Sequence, residues 1–206
     1  MKKLVVLFLA VLAFSCGEKK KILLPKANVS VVKNVDDIST IDFFFTTENN
    51  DTIANVSKNT VISTTNWVFN IDKRLPLKTI LPDIIKLQEK KRKKQEGAVA
   101  KTANYYSYAD SIGKNLAFFS FTNTVYKLQK PLKGIVVYFD KSNKVYVNDS
   151  LVERENLQKQ IVNLNQELKE VHYCFDKNML YNDYILNKLF LNTIEHKMTG
   201  VTEYVY

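Results

Sequence analysis

The sequence predicts an α+β protein: small mixed sheets with helices on one face. Three observations carry that prediction. Residues 134–206 alternate between a hydrophobic period of two and one of 3.6, with turn residues where the period changes. A stretch of helical period near residues 79–93 is flanked on both sides by short runs of β-branched and aromatic residues, the composition of strands. Hydrophobic residues make up 46% of the 206, enough to bury a core without disulfides. The halves echo one another, so the expectation includes two similar ββαβαβ-type units in tandem, with coincidence between two α+β segments as the alternative.

The chain opens with Lys2 and Lys3 ahead of an apolar run over residues 4–14. That run is too short to cross a hydrocarbon layer, which takes roughly 20 apolar residues, so residues 1–15 are expected to be a signal peptide. Leu12-Ala13-Phe14-Ser15-Cys16-Gly17 resembles a bacterial lipobox, although Phe14 departs from the small residue usual there. The resemblance implies that Cys16 becomes the acylated first residue of a mature lipoprotein, held to a membrane of the cell envelope by its lipid. An ordinary secretory signal with a coincidental cysteine is the alternative. Residues 16–40, polar and interrupted by Pro25, are expected to form a lipid-anchored tether with a short strand at 29–32.

A first α+β unit is expected over residues 41–130. Asp42-Phe43-Phe44-Phe45-Thr46-Thr47 and Thr52-Ile53-Ala54, separated by Glu48-Asn49-Asn50-Asp51, form a hairpin pattern, because Asn and Asp tolerate the left-handed backbone of tight turns. Residues 60–65 and 67–71 add one bent strand or two short ones, with Trp67 in the core. The helix that follows is expected near residues 79–93, with Leu77, Leu81, Ile84, Ile85 and Gln88 along one side. Its start is set by Pro82, which fits the first turn where backbone N–H groups lack partners. Tyr105-Tyr106-Ser107-Tyr108-Ala109-Asp110 reads as a strand. From Ser111 to Ser120 a helix is expected from Ile112, Leu116 and Phe119, against a strand composition in Phe118-Phe119-Ser120-Phe121. Pro131 and Gly134 bracket the best domain boundary.

In residues 134–206 a hairpin is followed by a helix over 153–169 with Leu157, Ile161, Leu164 and Leu168 in one stripe. A strand comes next, with Val171, Tyr173 and Phe175 on one side and His172 and Cys174 on the other. A second helix, capped by Asn182 or Asp183, carries Tyr184, Ile185, Leu189, Phe190 and Ile194. Residues 201–206 close the sheet.

These residues resemble the periplasmic domain of ExbD/TolR biopolymer-transport proteins. The likeness lies in Val136-Val137-Tyr138-Phe139-Asp140, Lys144-Val145-Tyr146-Val147-Asn148, the strand at 171–176 and Tyr181-Asn182-Asp183-Tyr184 opening a helix. It implies a module that dimerises and contacts envelope partners, TonB/ExbB-like proteins or peptidoglycan. The family's membrane-spanning helix with its coupling aspartate has no counterpart in residues 1–17, so proton coupling does not carry over. In the first half, Trp67-Val68-Phe69-Asn70 is similar to Tyr146-Val147-Asn148, and Tyr106-Ser107-Tyr108-Ala109-Asp110 to Tyr173-Cys174-Phe175-Asp176.

The catalytic inventory is sparse. The two histidines, His172 and His196, have no cysteine, histidine or acidic cluster at metal-ligand spacing, and no Gly-rich phosphate loop or nucleophile elbow occurs. Cys174 reads as a small buried hydrophobe. Asp140, Asp176 and Asp183 are the carboxylates that could converge, although aspartates at strand ends usually serve turns. The expectation is therefore no catalytic residue, cofactor or metal, and an interaction protein; an envelope hydrolase or small-molecule binder is the alternative. The formal charge of +9 is concentrated in Glu89-Lys90-Lys91-Arg92-Lys93-Lys94, expected as a solvated helix end. A contact with anionic headgroups or cell wall is the sharper reading. No nucleic-acid motif accompanies the run.

Overall fold

The computed structural model describes residues 21–57, 61–98, 101–164, 170–194 and 201–206. It is an α+β fold of two mixed six-stranded sheets and, among the described residues, three α-helices. In the first sheet β1 (Lys26–Ala27), β2 (Ile38–Glu48), β3 (Asp51–Ser57), β4 (Asn66–Ile71), β5 (Asn104–Asp110) and β6 (Asn115–Ser120) run in the order β3-β2-β4-β5-β6. β1 continues the edge of β5 where β4 leaves it, pairing Lys26 with Ala109 and Ala27 with Asp110. The second sheet holds β7 (Val125–Lys127), β8 (Ile135–Phe139), β9 (Val145–Val147), β10 (Ser150–Val152), β11 (Val171–Phe175) and β12 (Thr202–Val205) in the order β10-β9-β8-β11-β12-β7. The helices are α1 (Leu77–Lys94), α2 (Leu157–Leu164), preceded by a 3₁₀ turn at Arg154–Asn156, and α3 (Tyr181–Ile194).

Each sheet contains the adjacent parallel strands β2-β4-β5 or β8-β11-β12, flanked on one side by an antiparallel hairpin partner, β3 or β9, and in the second sheet β7 extends the parallel run beyond β12. A helix joins two neighbouring parallel strands in both: α1 between β4 and β5, α3 between β11 and β12. Their inner faces and the apolar sides of all three helices fill one continuous hydrophobic cluster containing Phe69, Leu81, Tyr106, Phe121, Phe139, Leu157, Phe175 and Tyr184.

Where β4 and β11 end, the backbones exchange hydrogen bonds in matched pairs. Leu77 N–H donates to Met179 O at 2.9 Å while Tyr181 N–H donates to Leu75 O at 2.8 Å. Lys78 N–H donates to Lys177 O at 2.8 Å while Asn182 N–H donates to Lys73 O at 3.1 Å. The segments so joined, Asp72-Lys73-Arg74-Leu75-Pro76-Leu77 and Asp176-Lys177-Asn178-Met179-Leu180-Tyr181, also share their internal turns: Asp72 and Asp176 each accept the N–H two residues on, at 3.1 and 2.7 Å. A local two-fold relation therefore sits at this saddle. α1 follows β4 and α3 follows β11, whereas β9, which carries Tyr146-Val147, is followed by β10.

Several expectations are corrected. Residues 111–120 form no helix: Asp110 Oδ1 accepts the N–H groups of Ile112 and Gly113 at 2.9 and 3.0 Å, Lys114 takes φ +51°, and the chain returns as β6 antiparallel to β5. The tight turn decided this, and Phe119 packs inward from a strand. Helix α1 starts two residues before Thr79 because Met179 and Lys177 carbonyls take the first N–H groups, and Pro82 consequently lies inside the helix. Asn182 and Asp183 lie in the first turn of α3, behind Tyr181. The strand expected at 29–32 is a single bridge, Val32 to Phe118, while β1 lies just before it. Leu23 N–H donates to Asp72 Oδ2 at 3.1 Å and Leu23 O accepts from Lys73 N–H at 2.7 Å, so the segment expected as tether is tied into the sheet from Leu23 onward. β10 was not foreseen, and β7, which precedes the Pro131–Gly134 break, belongs to the second sheet. Leu164 is 38% exposed, and Leu168 lies outside the described residues.

Candidate functional site

Two polar constellations stand out, one buried between the sheets and one on an outer face. The buried one begins with alternation in β12, which turns Glu203 inward while α3 brings Tyr184 and Lys188 to the same point. Lys188 Nζ pairs with Glu203 Oε1, both fully buried. Glu203 Oε2 accepts from the Tyr184 hydroxyl at 2.7 Å, which meets the Tyr126 hydroxyl at 3.2 Å, which in turn meets the Tyr106 hydroxyl at 2.7 Å. The chain of hydroxyls thus runs from β12 of the second sheet to β5 of the first. Burial raises the hydroxyls of Tyr106, Tyr126 and Tyr184 well above their ordinary range, so they remain neutral donors. A satisfied, water-excluded network of this kind fixes the register between elements.

The outer face of the second sheet carries the opposite character. Period two along β8, β9 and β12 places Tyr138, Tyr146 and Tyr206 there, half-buried. Tyr138 stacks on Tyr206 with centroids 5.3 Å apart and lies 6.4 Å from Tyr146. The His172 ring meets Tyr204 edge-on at 5.1 Å. Lys127 and Lys130, both exposed, reach over Tyr204 and Tyr206 at 5.4 and 5.2 Å. Burial, together with the carboxylates of Asp176 and Asp140, pushes the Tyr138 hydroxyl up to about 12. The result is a patch of tyrosine rings fringed by lysines at one edge and aspartates at another. The sequence marks these tyrosines as strand residues, and the alternation in Val136, Tyr138 and in Val145, Tyr146, Val147 is the signal that they share a face.

The residues singled out from sequence are not gathered. His172 is 4% exposed near the start of β11, its Nε2 3.9 Å from Glu170 Oε2, at the opposite end of the strand from Asp176. Asp140 accepts N–H bonds from Ser142 and Lys144 at 2.8 and 2.9 Å and closes the β8–β9 turn. Asp176 holds the turn into α3, and Asp183 accepts from Asn182 Nδ2 at 3.0 Å. Cys174 is fully buried, and burial pushes its thiol up to about 12, which disfavours the thiolate a nucleophile needs. Trp67 is a core residue, 2% exposed, donating Nε1–H to Ile62 O at 2.8 Å. Among the described residues no three His, Cys, Asp or Glu side chains are grouped to hold a metal. Cys16 and His196 lie outside the described residues.

The basic run ends differently from expectation. Lys90, Arg92, Lys93 and Lys94 are exposed, but Lys91 is 2% exposed, its ammonium 4.9 Å from the Trp67 ring and donating to Ala103 O at 2.7 Å and Asn104 Oδ1 at 3.2 Å. Burial lowers its pKa to about 8. Beside it Arg92, Lys93, Lys101, Thr102 and Thr122 line an open groove of about 390 Å³.

Comparison with models of protein families, with characterised proteins and with solved structures finds no match. Among the described residues no helix is long and apolar enough to cross a membrane.

Proposed function

We propose that this chain is an exported, lipid-anchored interaction protein, acylated at Cys16, whose second sheet offers its tyrosine face to a partner in the cell envelope. The observation that carries the reading is that face: three half-buried tyrosine rings, Tyr138 lying against both Tyr146 and Tyr206, fringed by exposed lysines and by aspartates. Aromatic rings supply large contact area at low conformational cost and are enriched where proteins bind one another. Anchoring rests on the residue pattern around Cys16.

Kinship of residues 134–206 with the ExbD/TolR periplasmic domain is part of the proposal. Its support is the element order: hairpin, helix, strand, helix, strand. We read the first sheet as a diverged copy, on the strength of the matched hydrogen-bond exchange at the saddle and the shared turn residues Asp72-Lys73 and Asp176-Lys177. In the first copy the connection from β3 to β4 carries no helix at residues 61–65, where the second has α2.

Site-specific photo-crosslinking in cells tests the partner face. A crosslinking side chain at Tyr146 is expected to give discrete adducts, to an envelope protein, a glycan or a second copy, while the same group at Thr40, exposed on the first sheet, gives none. Equal yields from the two positions would count against the reading.

A further inference from the structure

The proposed anchor leaves open which side of the molecule meets the bilayer, and two basic ends compete for it. One is the run Lys90–Lys94 at the C-terminal end of α1. The other is the saddle at the N-terminal end of α1, where Lys73, Arg74, Lys78 and Lys177 lie on backbones joined to each other by hydrogen bonds. We infer that the saddle end faces the membrane and that its lysines contact anionic lipid headgroups.

The tether decides between them. From Cys16 to Leu23 the chain takes seven steps, a reach of at most about 24 Å even when fully extended. At Leu23 the leash ends, because its N–H is held by Asp72 and its carbonyl by Lys73 N–H at 2.7 Å. A domain of this size is about 40 Å across, so a point on its surface must stay within little more than half a diameter of the bilayer. The saddle adjoins that point directly. The basic run lies at the other end of α1, a helix of 18 residues and therefore about 27 Å long.

The composition of the saddle fits the same surface. Lys21, Arg74, Lys78 and Lys177 are exposed and Lys73 half-buried. The acidic groups nearby include Asp72, which Arg74 neutralises at 2.7 Å, Asp140 and Asp176, each accepting N–H groups within its own turn, and Asp183, which accepts from Asn182. Two leucines sit uncovered among the cations, Leu23 at 45% and Leu180 at 43% exposure. Exposed apolar side chains among lysines suit the boundary between headgroups and acyl chains, and each cation near an anionic surface adds to the attraction. Held this way, the protein keeps the run Lys90–Lys94 directed away from the bilayer.

This inference rests on acylation at Cys16, and the test separates the two. The full lipoprotein would be reconstituted into phosphatidylcholine vesicles with and without phosphatidylglycerol, carrying an environment-sensitive fluorophore at Leu180→Cys or at Glu96→Cys. Quenching by spin-labelled lipid is expected to be at least two-fold stronger at position 180 than at position 96. Phosphatidylglycerol should widen the gap, and Lys73→Glu with Lys78→Glu and Lys177→Glu should narrow it. Palmitate incorporation in the same preparation reports acylation. An acylated chain with equal quenching, or stronger quenching at position 96, overturns the orientation and leaves the anchor standing; a chain without the label overturns both.

Discussion

Glu203 and Lys188 show how much a single buried pair can hold. Each is fully buried and each is the other's only opposite charge in the network. Glu203→Ala strands an ammonium in the core and is expected to cost about 3–5 kcal/mol, whereas Lys188→Met combined with Glu203→Leu recovers most of that loss. Urea titrations of the two variants check the pair. Recovery would mean that the ions specify register more than they stabilise it. Lys91 gives a pH signature of its own. Its folded pKa, near 8, lies below the ordinary 10.5, so between those values the unfolded chain binds more protons than the folded one, and stability rises with pH across that window. Lys91→Met should flatten the rise, which thermal melts at a series of pH values would show. Asp72 acts at the acid end. Burial alone would raise its carboxyl, but Arg74 and the N–H groups of Leu23 and Arg74 hold it below 3.8. Its contribution is present above that value and disappears as pH falls through the lower folded value.

Residues that define turns are more legible than residues that suit two structures. Asn49 and Asn50, both with positive φ, close β2 onto β3 where their residue type said they would. Period two in residues 135–139, 171–175 and 202–205 located β8, β11 and β12. Residues 115–120 suit either structure, because Leu116 and Phe119 fit a helical stripe equally well, and the decision lies with Asp110 capturing two backbone N–H groups. The start of α1 was misplaced for a different reason: its first N–H groups are taken by a segment about a hundred residues away in the chain, a partner no local pattern announces. That tertiary start leaves Pro82 inside the helix, unable to donate to the carbonyl of Lys78. Pro82→Ala is expected to raise stability by about 1 kcal/mol or more, measured by denaturant midpoint. The buried Lys91 was hidden within a run of charges whose composition says only that the helix end is basic.

For the whole molecule, sequence conveyed the α+β class and the order of elements in the second half, but not that the two halves share a core. That sharing depends on Tyr106, Tyr126 and Tyr184 meeting across the sheets and on the exchange at the saddle, contacts between residues far apart in the chain. The tyrosine face likewise exists only once β9, β8, β11 and β12 are laid side by side. Together these features describe a body in which Asp140 and Asp176 serve turns, Lys188 and Glu203 pair internally, and an aromatic surface lies on one sheet. We propose that the chain is held to a membrane by lipid on Cys16. Palmitate labelling of cells expressing the wild type and Cys16→Ala, followed by fractionation, tests it most directly. The account predicts label and membrane association for the wild type and neither label nor stable membrane association for the variant. Equal labelling of the two, or an unlabelled wild type free in the cytosol, would contradict it.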